Sequence, residues 1–159
     1  MTTPTKYLAA AVAAALVGPA ALSGCSAAPS DSQVVGTLES AVSKAVPSAS
    51  AVAVGMGYDG PDRRTVSVRL YLDSTAGSVV TPAVDSALHT VWSESPVLPS
   101  SVVVSVVDGP KPADGSKGVG IDLAETAAAI GVPVPEVGRD LLLVRAAELE
   151  KLYGARPAS

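Results

Sequence analysis

Two neighbouring segments with strict two-residue alternation constrain the fold more than any other feature of this chain. In residues 50–58 the even positions from 52 carry Val, Val, Met and Tyr, whereas the odd positions carry only Ala and Gly. In residues 65–72 the even positions carry Val, Val, Leu and Leu. Such alternation is typical of antiparallel strands with one buried face. Residues 59–62 (Asp-Gly-Pro-Asp) form a turn cluster, so the sequence predicts a β-hairpin.

Helical patterns lie on both sides of the predicted hairpin. The first covers residues 34–46 and is ended by Pro47, and its apolar residues recur at spacings of three and four. Its stripe consists of Val35, Leu38, Val42 and Val46. The second starts at Ser78 or Thr81 and ends at Glu94. Its stripe consists of Val80, Val84, Ala87, Leu88 and Val91. Both segments are predicted to be amphipathic helices.

A third strand is predicted after the second helix. Pro82 fits the first helical turn, where a missing amide hydrogen costs nothing, and Pro96 stops the helix. Residues 101–107 contain only Val and Ser, a β-branched run typical of a buried strand. The order helix, strand, strand, helix, strand is similar to that of the BON domain, a small envelope module. That family's glycine-bracketed strand motif is missing here, so the likeness is one of topology alone.

The C-terminal part is predicted to extend the same domain. Asp122 and Glu125 resemble a capping box that opens a third helix through Ile130, and Gly131 is placed to end that helix. The elements predicted after it are a strand over 141–144 and a helix over 146–153, with Leu149 and Leu152 inward and Gly154 at its end.

The first 24 residues have the three parts of a secretory signal peptide. Lys6 gives a positive start, residues 8–17 are uncharged Ala, Leu and Val, and small residues follow Gly18 and Pro19. A membrane span needs about 20 apolar residues, so this segment is too short to remain as a transmembrane helix.

The end of this segment carries a more specific motif. Leu22, Ser23, Gly24 and Cys25 resemble the bacterial lipobox at every position, as in small actinobacterial lipoproteins. The resemblance implies cleavage between Gly24 and Cys25 and a diacylglycerol thioether on Cys25. The alternative is that Cys25 is an ordinary buried thiol. It is the only cysteine, which excludes an intramolecular disulfide.

The predicted fold class is α+β: a three- to four-stranded mixed sheet with helices on one face. The predicted divisions are a signal peptide over 1–24, a tether over 25–33, an α-β-β-α-β core over 34–109, an exposed loop over 110–120, and an extension of the same domain over 121–159.

Charge and composition exclude several classes of partner. The chain has 11 basic and 15 acidic residues, and loss of residues 1–24 removes one basic residue, which leaves a net charge of −5. No basic run is present, so neither nucleic acid nor electrostatic binding to anionic lipid is expected. Phe is absent, so the core must consist of Val, Leu, Ala and Ile.

No residue pattern predicts a catalytic or metal site, and no cofactor is expected. His89 is the only histidine and no second cysteine is present, so a metal site has no partners. No Gly-x-Ser-x-Gly elbow is present, and His89 would have to serve any Ser-His triad. His89 is interpreted as a boundary residue of the second helix. Asp85 and Glu94 are interpreted as solvated charges. The acids of residues 108–122 are six and eight positions apart, wider than a calcium loop requires.

Trp92 is the only tryptophan and lies near the end of the second helix. Two interpretations are open. It packs in the core, or it projects as an anchor for a partner, because Trp is enriched at interface hot spots.

These observations favour a non-enzymatic binding or interaction module, exported and anchored to the outer face of the cell membrane through Cys25, with an envelope protein or lipid as partner. The alternative is a carrier of a small molecule or lipid, which requires an apolar cavity between sheet and helices. An enzyme is the least supported class.

Overall fold

A computed structural model of the chain describes residues 28–61, 63–134 and 138–157. These residues form four helices and four strands in the order α-β-β-α-β-α-β-α, which confirms the α+β class. The helices are α1 (Asp31–Ala45), α2 (Gly77–Glu94), α3 (Ala124–Ile130) and α4 (Ala146–Tyr153). The strands are β1 (Ala49–Tyr58), β2 (Arg64–Leu72), β3 (Ser101–Asp108) and β4 (Leu142–Arg145). The lipobox and the signal segment lie outside the described residues.

The strands form one mixed sheet in the order β1-β2-β3-β4. β1 and β2 pair antiparallel, which confirms the hairpin. The crossover through α2 makes β2 and β3 parallel, with Val68 beside Val104. β4 pairs antiparallel with the first half of β3, and this confirms the fourth strand.

The alternation of β1 and β2 places their larger apolar side chains on the face that α1 and α2 cover. Val66, Val68 and Leu70 of β2 are completely or almost completely buried there. The helices bury their stripes against this face. The buried helix residues are Val34, Leu38 and Val42 of α1 and Val80, Ala83, Val84, Ala87, Leu88 and Val91 of α2. The core is aliphatic, as the absence of Phe predicts, and Trp92 is its large aromatic member.

The first helix starts earlier than the sequence pattern indicates. The N-cap is Ser30, whose hydroxyl accepts from the Gln33 backbone N–H, while the Gln33 side chain accepts from the Ser30 backbone N–H. This reciprocal capping box starts the helix at Asp31, so the predicted tether over 25–33 is too long by three residues. The buried stripe also begins at Val34 instead of Val35, which is only partly buried.

Two other helix starts differ from prediction. α2 begins at Gly77, so Pro82 lies in the second turn instead of the first and removes one helical hydrogen bond. The N-cap of α3 is Leu123, and Asp122 instead accepts from the Ala124 backbone N–H at 2.8 Å. Gly131 ends α3 with a φ of +85°, as predicted.

Within the described ranges, no helix is both long enough and apolar enough to cross a membrane.

Candidate interaction surface

The sheet has a second face that none of the four described helices covers. We call it the open face. It is formed by the odd-numbered residues of 51–57, 65–71 and 101–107, together with Leu143 and Arg145. Most of these side chains are Gly, Ala, Ser, Thr or Val. A Cβ atom on Gly55 would lie 2.8 Å from the Ser67 hydroxyl, so the β1–β2 part of this face is flat and closely packed.

One end of the open face is covered by the segment between β3 and α3. Gly120 forms an isolated antiparallel bridge with Val107, and Gly118 lies so close that a Cβ there would be 2.5 Å from Val107 Cγ1. Val107 and its neighbour Tyr71 are consequently buried although they lie on the helix-free side. The segment otherwise matches the exposed loop predicted over 110–120, since nearly all of its residues are exposed.

The opposite end of the open face carries a polar row that crosses all four strands. Gly57, Thr65, Ser101 and Arg145 are consecutive cross-strand neighbours. The Thr65 and Ser101 hydroxyl oxygens are 2.9 Å apart and hydrogen bonded. This end is further joined by two backbone hydrogen bonds, from Ser100 N–H to the Arg64 carbonyl at 2.8 Å and from Ala146 N–H to the Ser100 carbonyl at 3.0 Å.

A cleft of about 350 Å³ opens beside this row. We call it the arginine cleft. Its lining residues are Asp59, Arg63, Thr65, Ser100, Ser101, Leu143 and Arg145. The only ion pair among the described residues joins Arg139 to Asp122 at 3.8 Å, so neither guanidinium of the cleft is paired with a described carboxylate within 4.0 Å. Two guanidinium groups lie beside three hydroxyl groups, and one hydroxyl hydrogen is used in the Thr65–Ser101 hydrogen bond. The guanidinium groups and the remaining hydroxyl hydrogens form a donor set suited to a phosphate or carboxylate.

The chain enters the domain at this same end. The Tyr58 hydroxyl donates to the Asp31 carboxylate at 2.6 Å, which joins the last residue of β1 to the first turn of α1. That hydrogen bond raises the pKa of Tyr58 above its ordinary value. The N-cap Ser30 therefore lies beside the β1–β2 hairpin, from which Asp59 and Arg63 line the cleft.

The structure places Trp92 in the core. Its side chain is 4% exposed, and its indole Nε1–H donates to the Gly154 carbonyl at 3.0 Å. The indole therefore fixes the end of α4 against α2. This geometry supports the core interpretation of Trp92, because its apolar surface and its donor are already used within the domain.

His89 lies on the exposed side of α2, as its interpretation as a boundary residue predicts. Its ring meets the Tyr153 ring edge-on at a centroid distance of 5.2 Å. The Tyr153 hydroxyl donates to Asp85 Oδ1 at 2.8 Å, and burial together with this hydrogen bond raises the pKa of Tyr153. These three residues hold α4 on α2, on the helical side of the sheet.

The described residues contain no group of three or more His, Cys, Asp or Glu side chains that could hold a metal ion. The 108–122 segment instead uses an acid for local structure. Ser116 N–H donates to Asp114 Oδ1 at 2.9 Å and thereby lowers the pKa of Asp114.

Residues between the sheet and the helices are densely packed. Val66, Val102, Leu142 and Leu149 are fully buried. A cleft of about 570 Å³ lies near the starts of α2 and α3 and is lined by the buried Val80 and by Asp122, Glu125 and Arg139 among others. The carrier hypothesis stays a prediction.

Comparison with protein-family models, with curated proteins and with solved structures found no match.

Sequence reasoning missed the arginine cleft. Arg63 follows a turn cluster and Arg145 is the last residue of β4, and they are 82 positions apart in the chain. The sequence signal that pointed toward this site was the two-residue alternation of residues 65–72, which puts Thr65 on the face opposite the buried valines.

Proposed function

We propose that this protein is an exported lipoprotein, held at the outer face of the cell membrane by a diacylglycerol thioether on Cys25. The observation that carries the proposal is the match of residues 22–25 to the lipobox after a short apolar segment. Two acyl chains form a stable anchor, since each buried methylene contributes about 0.8 kcal/mol. The start of α1 at Asp31 supports the proposal, because it leaves only a short connection between lipid and domain.

The folded part is proposed to be a binding module and not an enzyme. The open face offers a flat surface of small side chains with the arginine cleft at one end, and it lies on the other side of the sheet from His89. Flat surfaces with a few positioned polar groups suit recognition of a large envelope component. The arginine cleft supplies the donors that such recognition requires.

Mass spectrometry of the N-terminal peptide, from protein extracted from the membranes of its own host, tests the anchor. We expect a mature chain that begins at Cys25 and carries lipid mass. A Cys25→Ala variant should accumulate as precursor or leave the membrane fraction, whereas the matched Ser26→Ala variant, just outside the lipobox, should behave as wild type. A wild-type mature chain without lipid would contradict the proposal.

The same extraction tests the binding role. Native mass spectrometry should show the lipidated chain with a further bound lipid or polypeptide, and substitutions on the open face, such as Ser67→Arg, should remove that component. Retention of the component by the Ser67→Arg variant would show that the open face is not the binding surface.

A further inference from the structure

We propose that the arginine cleft binds the phosphate of an anionic phospholipid, so that the domain docks on the bilayer with its chain-entry end toward the membrane. We call this end, formed by residues 58–61, 63–65, 98–101 and 143–145, the tether end. The inference rests on the proposed lipid anchor and adds to it an orientation and a second membrane ligand.

The length of the connection limits where the tether end can lie. Four residues separate Cys25 from the N-cap Ser30. A fully extended chain spans at most about 3.6 Å per residue, so Ser30 cannot lie more than about 18 Å from a lipidated Cys25. Tyr58 contacts the first turn of α1 directly. Neighbouring strands are about 4.8 Å apart, which places Arg145 of β4 about 14 Å across the sheet from Tyr58 of β1.

The side chains of the tether end match the chemistry of a lipid headgroup layer. Arg63 and Arg145 supply two guanidinium groups without a described ion pair, and guanidinium binds phosphate in a bidentate manner. The hydroxyl groups of Thr65, Ser100 and Ser101 also line the cleft, and the Thr65–Ser101 hydrogen bond leaves one hydroxyl of that pair, together with Ser100, as further donors.

Apolar side chains are also exposed at this end. Leu98 is 64% exposed, Tyr58 is 53% exposed and Leu143 is 48% exposed. Tyrosine is enriched where one part of a side chain contacts acyl chains and the other contacts water. Apolar side chains beside basic ones are typical of surfaces that lie in the membrane interface. The tether end, which the connection to Cys25 brings to the bilayer, therefore carries both basic and exposed apolar side chains.

Charge at the tether end is mixed, and this determines how the cleft can act. Asp59 lines the cleft, Asp31 accepts from Tyr58, and a Glu148 oxygen accepts from the Arg145 backbone N–H at 2.9 Å. A net attraction over long distance is therefore not expected, and two arginines bind a phosphate only at contact. The lipid anchor removes the need for a strong site, because it confines the cleft to the membrane surface at high effective concentration. The cleft then selects one orientation of the domain.

Hydrogen exchange of the lipidated full chain in vesicles tests this orientation. The amides of Gly60, Arg63 and Leu98 lie outside the strands and report on the tether end. We expect these amides to be protected in vesicles of phosphatidylglycerol and phosphatidylcholine and not in phosphatidylcholine alone. The Arg63→Gln/Arg145→Gln variant should lose this protection. The matched Lys111→Gln/Lys117→Gln variant removes two positive charges from the loop beyond the other end of β3 and should keep it.

Equal exchange in both vesicle types would overturn the inference, and so would loss of protection in both double variants. A third contrary result is equal protection of the protein in micelles by excess inorganic phosphate, which would assign the cleft to a free anion. Failure of the lipid anchor would be recognised separately by the mass of the N-terminal peptide. In that case, co-sedimentation of the unmodified protein with the same vesicles tests the cleft alone, and binding that requires Arg63 and Arg145 would still support it.

Discussion

The hydroxyl group of Tyr58 lies 2.6 Å from the carboxylate of Asp31, and this contact joins the end of the edge strand β1 to the start of α1. Both side chains are exposed, so the contact has little weight in stability. The contact instead determines position, because it fixes where the chain enters the domain. The hairpin, the arginine cleft and the incoming chain share one end of the sheet as a result.

Substitution of Asp31 by Asn should lower the pKa of Tyr58 toward its ordinary value of about 10. In the wild type, the hydrogen bond to the carboxylate favours the neutral phenol and raises the pKa of Tyr58. The measurement is an absorbance titration of tyrosinate, with the Tyr58→Phe variant used to subtract the other tyrosines. An unchanged titration in Asp31→Asn would show that the contact is not maintained in solution.

Trp92 should act as a core residue in solution. Replacement by Ala should lower the free energy of unfolding by about 3–5 kcal/mol, because a large buried side chain is lost and a cavity remains. Trp92→Phe should cost less, since most of the apolar contact is kept and only the hydrogen bond to Gly154 disappears. Denaturant unfolding followed by circular dichroism measures both.

Fluorescence gives a second test of the Trp92 environment. As the only tryptophan, it should resist an aqueous quencher in the native protein and become accessible on unfolding. A native emission that is quenched as freely as that of the unfolded chain would contradict the buried position.

Docking of α4 should weaken at strongly alkaline pH through Tyr153. Burial and the hydrogen bond to Asp85 raise the pKa of Tyr153 in the folded state. A group whose pKa is raised on folding stabilises the fold fully below its unfolded pKa, here about 10, and this contribution is lost as pH rises further. Wild-type stability should therefore fall above about pH 10.

The Tyr153→Phe variant isolates this effect. It should be less stable than the wild type at neutral pH, and it should show a smaller loss above about pH 10, because no phenol remains to ionise at this position. Thermal melts at neutral and alkaline pH compare the two proteins. Parallel declines would show that other groups control the alkaline transition.

Local patterns predict the elements of this fold well, and the reason is visible in particular residues. Val66, Val68 and Leu70 alternate with Ser67 and Arg69, and only one face of a strand can bury all three of the apolar side chains. The predicted helices and strands all form, with shifts confined to their ends. At the start of α1, Val34 and Val35 are equally apolar, and the packing direction decides which one is buried.

The arginine cleft could not be predicted in the same way. Arg63 and Arg145 line one cleft only because β3 pairs with β2 on one side and with β4 on the other. Local periodicity specifies the face on which a residue lies, but it does not specify which strands are neighbours or their register. The absence of a basic run in the sequence therefore does not exclude a cluster of arginine side chains from distant parts of the chain.

The packing of the loop that covers Val107 should depend more on Gly118 than on Gly115. Gly118 has a φ of +70°, and a Cβ there would lie 2.5 Å from Val107 Cγ1. Gly118→Ala therefore introduces both backbone strain, of about 1–2 kcal/mol, and a clash of about 1–3 kcal/mol. We expect a loss of about 2–5 kcal/mol in the free energy of unfolding, or release of the loop with exposure of Val107 and Tyr71.

Gly115→Ala is the matched control for this prediction. Gly115 has a φ of +76° in the same loop, but a Cβ there would meet nothing within 4 Å. This variant should lose only the backbone part, about 1–2 kcal/mol. Denaturant unfolding of the two variants measures the difference, and hydrogen exchange at Val107 shows whether the loop has detached. Equal losses would mean that the loop does not pack on Val107, and the covered end of the open face would then be accessible to partners.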